Sequence, residues 1–395
     1  MSELKGKKLK IDKSKWSLVK FGDVVFEPKE SSKDHIVDGI EHVVGLEHIE
    51  SANIHLRNSA SIEEPTTFTK RFAVGDVLFG RRRAYLRKAA QACFEGICSG
   101  DITIFRAKEN LLPELLPFIV SGENFFDYAI KYSAGGLSPR VKFKDLANYE
   151  FLLPPKDQQA ELAKLLWAMD DVVEKEKNIL KKLEVSKNSF KSKVLFKYSH
   201  SIEKNLPKDH SVLKLSEIAE ISGGSTPLRS KSEYWGGEIP WLTPTDVTGH
   251  GRTNLKTTKE CITDLGLGSI SNKLYPVGSI LYCSRATIGY AVLNDVPMST
   301  NQGFSNFIVN EKSNNYFLYY LLLHLKPELI RLAGGSTFPE ISKSSIKNFK
   351  VVIPAIEKQV KIANDLNVFE TSRLEVVSKI LRSQSLQKSL INEVF

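Results

Sequence analysis

In GRRRAYLRKAA, residues 80–90, the cations Arg81, Arg82, Arg83, Arg87 and Lys88 crowd around Tyr85. A guanidinium group donates two parallel hydrogen bonds, the geometry that phosphate oxygens and guanine edges accept. The plain alternative is a solvated basic turn. A second stretch, ISGGSTPLRSKSEYWGGEIPWLTPTDV over residues 221–247, sets Ser225, Thr226, Arg229 and Lys231 on a glycine-rich, loop-like run. Consecutive glycines let backbone N–H groups converge on an anion and hydroxyls add donors, although a lone Gly-Gly-Ser-Thr is more often an ordinary turn. The same tetrapeptide recurs from Gly334 to Thr337. Trp235 and Trp241 read as packing anchors of the first loop. Asn301 and Gln302 follow a turn and carry amides suited to adenine edges. Together with Arg285 in CSRATIGYAVL, these residues make a candidate set for binding nucleic acid.

Motifs for chemistry are missing. The sequence has no GxxxxGK[ST] phosphate loop, no GxGxxG, no HExxH and no GxSxG. Leu153-Pro154-Pro155-Lys156 approaches the polar-Pro-Pro-aromatic signature of base methyltransferases, but a lysine stands where the stacking ring is needed. Cys93, Cys98, Cys261 and Cys283 lack metal-ligand spacing and are expected to be buried free thiols in a reducing compartment. The chain therefore reads as a binder with no catalytic residue, no metal and no cofactor of its own. Its net charge of +9 and pI near 9.1 favour a polyanion, with nucleic acid ahead of an anionic membrane. No window approaches the ~20 apolar residues of a membrane span. The basic N-terminal run has no apolar signal core, so a soluble cytoplasmic protein is expected.

The elements that must position these residues are written twice. SLVKFGDVV at 17–25 matches SVLKLSEIA at 211–219, and FAVGDVLF at 72–79 matches YPVGSILY at 275–282. YSAGGLSPRVKFKDLANYEFLLPP at 132–155 answers RLAGGSTFPEISKSSIKNFKVVIPA at 331–355, and PPKDQQAELAKLL answers PAIEKQVKIANDL. A period near 200 residues means two related domains, each with the same tail, and not a solenoid. Each tail carries an apolar seam with coiled-coil spacing. The first runs through Leu162, Leu166, Met169, Val173, Leu180, Leu183, Phe190 and Val194, interrupted by Glu176 and Lys187. The second runs through Ile362, Leu366, Phe369, Val376, Ile380, Leu390 and Val394. Two helices of about 40 residues, each about 60 Å long, are expected to pair antiparallel with pseudo-two-fold symmetry and separate the globular parts. The alternative packs each helix on its own domain. Short β-rich runs followed by helical ones make the domains α+β. The expected division is a basic tail at 1–15, domains at 16–153 and 199–353, and helices at 154–198 and 354–395.

The GGSTPLRSKSEYWGGEIPWLTPTDV run, VGDVLFGRRRAYLRKAA and VGSILYCSRATIGYAVL, the AGG elements at 134–136 and 333–335, and the PxxxQ turn from Pro155 to Gln159 resemble the specificity subunit of type I restriction–modification systems. The resemblance covers nearly the whole chain. It implies two target recognition domains reading the halves of a split double-stranded DNA target, and a helical region that docks two methyltransferase subunits. Those subunits carry S-adenosylmethionine, and the assembly can add restriction and translocase subunits. The first half departs from the pattern by reading FEPKESSKDH where the second reads GGSTP, so an asymmetric target is expected. Two rival readings stand beside this one: a duplicated coiled-coil scaffold that binds only protein, and a DNA-modifying enzyme with an unrecognised motif.

Overall fold

The computed structural model describes residues 11–64, 66–198, 208–334 and 339–395. Residues 1–10 of the expected tail, 199–207 at the start of the second expected domain, and all of the second Gly-Gly-Ser-Thr run except Gly334 lie outside them. The chain divides into two compact units. The first runs to Lys177 and takes in Lys379–Phe395, and the second is Asn178–Ser378.

The first unit is organised around a sheet of β1 (Val25–Phe26), β2 (His55–Leu56), β3 (Val77–Gly80), β4 (Ala89–Ala92) and β5 (Ile102–Ala107), in the order β1-β5-β3-β4-β2. Every residue of β3 is buried, as expected for a short apolar run covered on both faces. It pairs antiparallel with β5, Ile102 opposite Gly80 and Phe105 opposite Val77. Phe21, Phe79, Phe105 and Phe125 pack ring against ring beneath this sheet, with centroids 4.9–6.1 Å apart. The apolar segment after β5 forms helices Leu116–Ser121 and Glu123–Lys131, interrupted at Gly122.

The second unit repeats this sheet with β6 (Ala219–Gly223), β7 (Asn254–Leu255), β8 (Ile280–Cys283), β9 (Ala291–Asn294) and β10 (Phe304–Val309), ordered β6-β10-β8-β9-β7. Helices Asn315–His324 and Lys326–Arg331 follow, broken ahead of Pro327. A two-stranded ribbon ties each domain's first strand to its last, Ser17–Lys20 with Glu150–Leu153 and His210–Lys214 with Lys350–Pro354. The units diverge in a smaller sheet, four-stranded in the first and three-stranded in the second. The domains are thus α+β.

Long helices α1 (Lys156–Leu195) and α2 (Ile356–Val394) supply the rest. In each unit their seam residues are buried or half-buried. In the first unit Ala163 and Leu166 share a core with Leu390, Ile391 and Val394. In the second, Phe190 meets Phe369 at 5.6 Å and Lys187 pairs with Glu370 at 2.6 Å, the antiparallel sense. The polar seam positions are therefore matched, not merely tolerated. Each helix starts on a buried glutamine. Gln159 donates to Pro154 O and Asn110 O and accepts from Leu112 N–H. Gln359 donates to Pro354 O and Lys312 O and accepts from Asn314 N–H.

Two expectations need correction. The run 221–247 is not a continuous loop, because Trp235–Leu242 is an eight-residue strand pairing with Glu260–Ile262. Alternation of Trp235, Ile239 and Trp241 around glycines and a proline hid its period of two. Among the cysteines, Cys98 and Cys283 are buried with thiols pushed up to about 12 by desolvation, but Cys93 is exposed and Cys261 only half-buried. Cys93 sits just past β4, where the chain has left the sheet's covered face.

Candidate nucleic-acid interface

In each unit three segments meet beside the central sheet: the turn after the third sheet strand in chain order, the loop before the fifth, and the AGG-containing segment. In the first unit, Arg81 N–H donates to Asp101 O, and Val141 N–H donates to Arg81 O. In the second, Ser284 N–H donates to Gly303 O and Ile341 N–H to Ser284 O. These equivalent bonds pair Arg81 with Ser284, Arg82 with Arg285, Arg83 with Ala286, Asp101 with Gly303 and Arg140 with Glu340. Arg83 and Ala286 both adopt left-handed backbone, φ 54° and 59°, so the turn itself is conserved between the copies.

The chemistry on this common frame differs. In the first unit Asp101 takes both Arg82 (3.2 Å) and Arg140 (2.7 Å), and Arg82 also donates to Ser138 Oγ at 3.0 Å. The bond from Arg140, reinforced by Arg82, holds the Asp101 carboxyl below its ordinary range despite partial burial. Arg81 donates from Nε to Val141 O at 3.1 Å. Arg87, also left-handed at φ 50°, pairs with Asp127 at 3.1 Å and lies over the Phe126 ring. Lys88 donates to Leu46 O at 2.7 Å. The cluster is therefore mostly engaged by the protein. Arg83, exposed with one long contact to Ser138 at 3.5 Å, and Tyr85, 54% exposed, are the members presented to solvent.

In the second unit the frame gathers Ser225, Thr226, Arg285, Asn301 and Gln302. Ser225 N–H donates to Thr300 O at 2.8 Å, Thr226 Oγ1 bonds Gln302 Oε1, and Asn301 Oδ1 accepts from Gly303 N–H at 2.9 Å. Arg285 faces Glu340 loosely, 3.8 Å from its Nε. Two other expected residues, both exposed, have neighbours of their own. Arg229 makes two hydrogen bonds to Glu260, one of 2.9 Å, and its guanidinium lies 3.9 Å from the Trp235 ring centroid and 4.9 Å from that of Trp241. Lys231 faces Glu233 at 3.8 Å and the Tyr234 ring at 5.3 Å.

Sequence reasoning passed over Asp101, Arg140, Glu340 and Lys343. Lys343 extends across the glycine turn, since a Cβ on Gly223 would come within 2.5 Å of its Cε and Nζ. The signal was available for Arg140 and Glu340, which occupy one column of the repeat. Among the described residues no group of three or more His, Cys, Asp or Glu is placed to hold a metal ion, and no helix is long and apolar enough to cross a membrane.

The architecture is thus a repeated α+β domain with a long seam helix, carrying a polar patch that varies on a fixed frame. Residues 207–382 match the type I restriction modification DNA specificity domain family. The specificity subunit of type I restriction enzyme MjaIX from Methanocaldococcus jannaschii is 40% identical over 167 residues, covering 42% of this chain and 39% of that one. The EcoR124I/EcoR124II specificity subunit from Escherichia coli is 29% identical over 181 residues, 44% of each chain. These alignments span less than half the length of either relative. A type I restriction–modification S subunit from M. genitalium shares the fold, with TM-score 0.61 at 14% identity over 98% of each chain. So does a chain of a type I R–M system solved for its complex assembly, with TM-score 0.62 at 21% identity over 96% of each. The family match thus lies in the second half of the chain, and the likeness to the solved S subunits extends the fold over nearly all of it.

Proposed function

We propose that this chain is the DNA-specificity subunit of a type I restriction–modification complex. The observation that carries the reading is the pair of equivalent patches, built on one backbone frame yet bearing different side chains. Two copies of one surface would read a symmetric target. An arginine-rich patch with Asp101 at its centre and a hydroxyl- and amide-rich patch around Thr226 and Gln302 read different half-sites, so the target is asymmetric. Arg83 and Tyr85 in the first domain, and Ser225, Thr226, Arg285, Asn301 and Gln302 in the second, are the contact candidates. Arg81, Arg82, Arg87, Lys88, Arg229 and Lys231 act by holding those surfaces in shape. Phosphate contacts set affinity and salt dependence while base contacts set sequence.

In this proposal the chain is not a catalyst. It docks two methyltransferase subunits on the helical region, and these bring S-adenosylmethionine to a base flipped from the duplex. Restriction and translocase subunits join the same assembly, in the cytoplasm. The test is an exchange of residues 1–153 for the corresponding part of another family member, followed by sequencing of methylated sites in cells carrying the neighbouring methyltransferase gene. One half of the recognised sequence should change. A change in both halves, or in neither, would overturn the modular reading.

A further inference from the structure

Both units hold a cleft at the same place in the repeat, between the domain and the long helices, and the two have diverged in charge. In the second unit the cleft measures about 490 Å³ and is lined by Lys187, Lys191, Arg252 and Arg373 against the carboxylates Glu184 and Glu370. Glu370, 8% exposed, already serves two of these cations, Lys187 at 2.6 Å and Arg373 at 2.7 Å. Lys191 is half-buried and has no ion-pair or hydrogen-bond partner among the described residues, and Arg252 has none either. An unpaired ammonium in that position costs desolvation with nothing in the protein to offset it. Burial, and then the nearby Lys187, hold the Lys191 ammonium below the ordinary lysine range.

The first unit supplies an internal control. Its cleft, about 300 Å³, has Gln387 and Ile391 where the helix repeat sets Lys187 and Lys191. Val173, buried at 2%, stands in place of Arg373. The two cations still lining it, Arg87 and Lys388, are each paired, with Asp127 at 3.1 Å and Glu123 at 2.7 Å. One copy of the fold thus narrows and neutralises this site, whereas the other keeps it wider with surplus positive charge. Packing alone does not require that surplus.

We infer that the cleft of the second unit is an anion site for a phosphate group, with Lys191 and Arg252 as its direct ligands and the Glu370 pair holding Lys187 and Arg373 at its wall. A phosphate oxyanion takes charge-assisted hydrogen bonds from both free cations. The phosphate belongs either to a free nucleotide or pyrophosphate or to a DNA backbone, and the experiment separates these sources. The full-length chain and its Lys191→Gln and Arg252→Gln variants are titrated calorimetrically with pyrophosphate and with ATP, without DNA. The same proteins are titrated with duplex DNA at several salt concentrations. Melting curves check folding, and neither variant should melt earlier, since neither side chain has a partner to lose. A free ligand is indicated if pyrophosphate or ATP binds and either substitution weakens it at least tenfold while DNA binding is unchanged. A DNA phosphate is indicated if the variants lower the slope of log K against log salt by about one each. Absence of pyrophosphate and ATP binding, with unchanged salt slopes, overturns the inference and leaves the proposed DNA-specificity role untouched.

Discussion

Replacing Gln359 by alanine tests how each long helix is tied to its own domain. The side chain is fully buried and meets four protein groups. It donates to Pro354 O at 2.8 Å and Lys312 O at 3.1 Å, and accepts from Asn314 N–H at 2.9 Å and Ser313 Oγ at 3.0 Å. Truncation leaves three backbone groups and a hydroxyl without this partner in a region closed to solvent. A stranded buried polar group costs about 1–3 kcal/mol, so full loss would reach several kcal/mol. Pro354 and Lys312 carbonyls keep a second lone pair, and water entering the alanine cavity recovers part of the rest. A net loss of about 3 kcal/mol is expected. The assay is urea denaturation followed by hydrogen exchange with mass spectrometry on peptides covering 308–316. Protection at Asn314 should fall first and furthest, while the matching Leu112 amide, held by Gln159, stays protected. Gln159→Ala should give the mirror result. A loss below about 1 kcal/mol with Asn314 still protected would refute the reasoning.

Further outcomes follow from the patches and the seam. Arg83→Ala should weaken DNA binding and lower the salt slope by about one, whereas Arg81→Ala should act through melting temperature; mobility shifts at graded salt, with melts, distinguish the two. Asp101 has its folded pKa lowered, so its contribution to stability is present above the unfolded value near 3.8 and is lost as pH falls through the folded one. Arg140→Ala should bring that loss to higher pH, read from the Asp101 carboxyl signal by NMR. Leu166→Asp with Leu366→Asp buries a carboxylate at two fully enclosed seam positions and should destroy helix pairing. Co-purification with the methyltransferase should then be lost, and its retention would refute docking on the helices.

Much of the fold was legible because the repeat aligned short strands that single stretches leave ambiguous. VGDVLF and VGSILY each resolve into a buried strand at the sheet's centre, β3 and β8. The helical seam was legible too, since one period runs unbroken by Gly or Pro. The patch was only half legible. Composition flagged the arginines after β3, but their partners lie far along the chain, Asp101 from another strand's approach and Arg140 from the AGG segment. Whether a cation is free or engaged depends on such long-range neighbours, and no local pattern encodes it. Arg229 illustrates the same limit: its ring platform is nearby in sequence, but its carboxylate, Glu260, belongs to a later strand.

The two glycines opening the second domain's turn differ in what they permit. A Cβ on Gly224 would stand 2.1 Å from Asn301 O and 2.3 Å from Thr300 O, main-chain atoms that cannot step aside. On Gly223 it would meet the flexible end of Lys343 alone within 3 Å. For anyone diversifying this protein to retarget it, Gly224 is a fixed hinge to be left out of the library. Gly223 is instead a dial on where Lys343 rests, and Ser225, Thr226, Asn301 and Gln302 form the alphabet to be randomised around it.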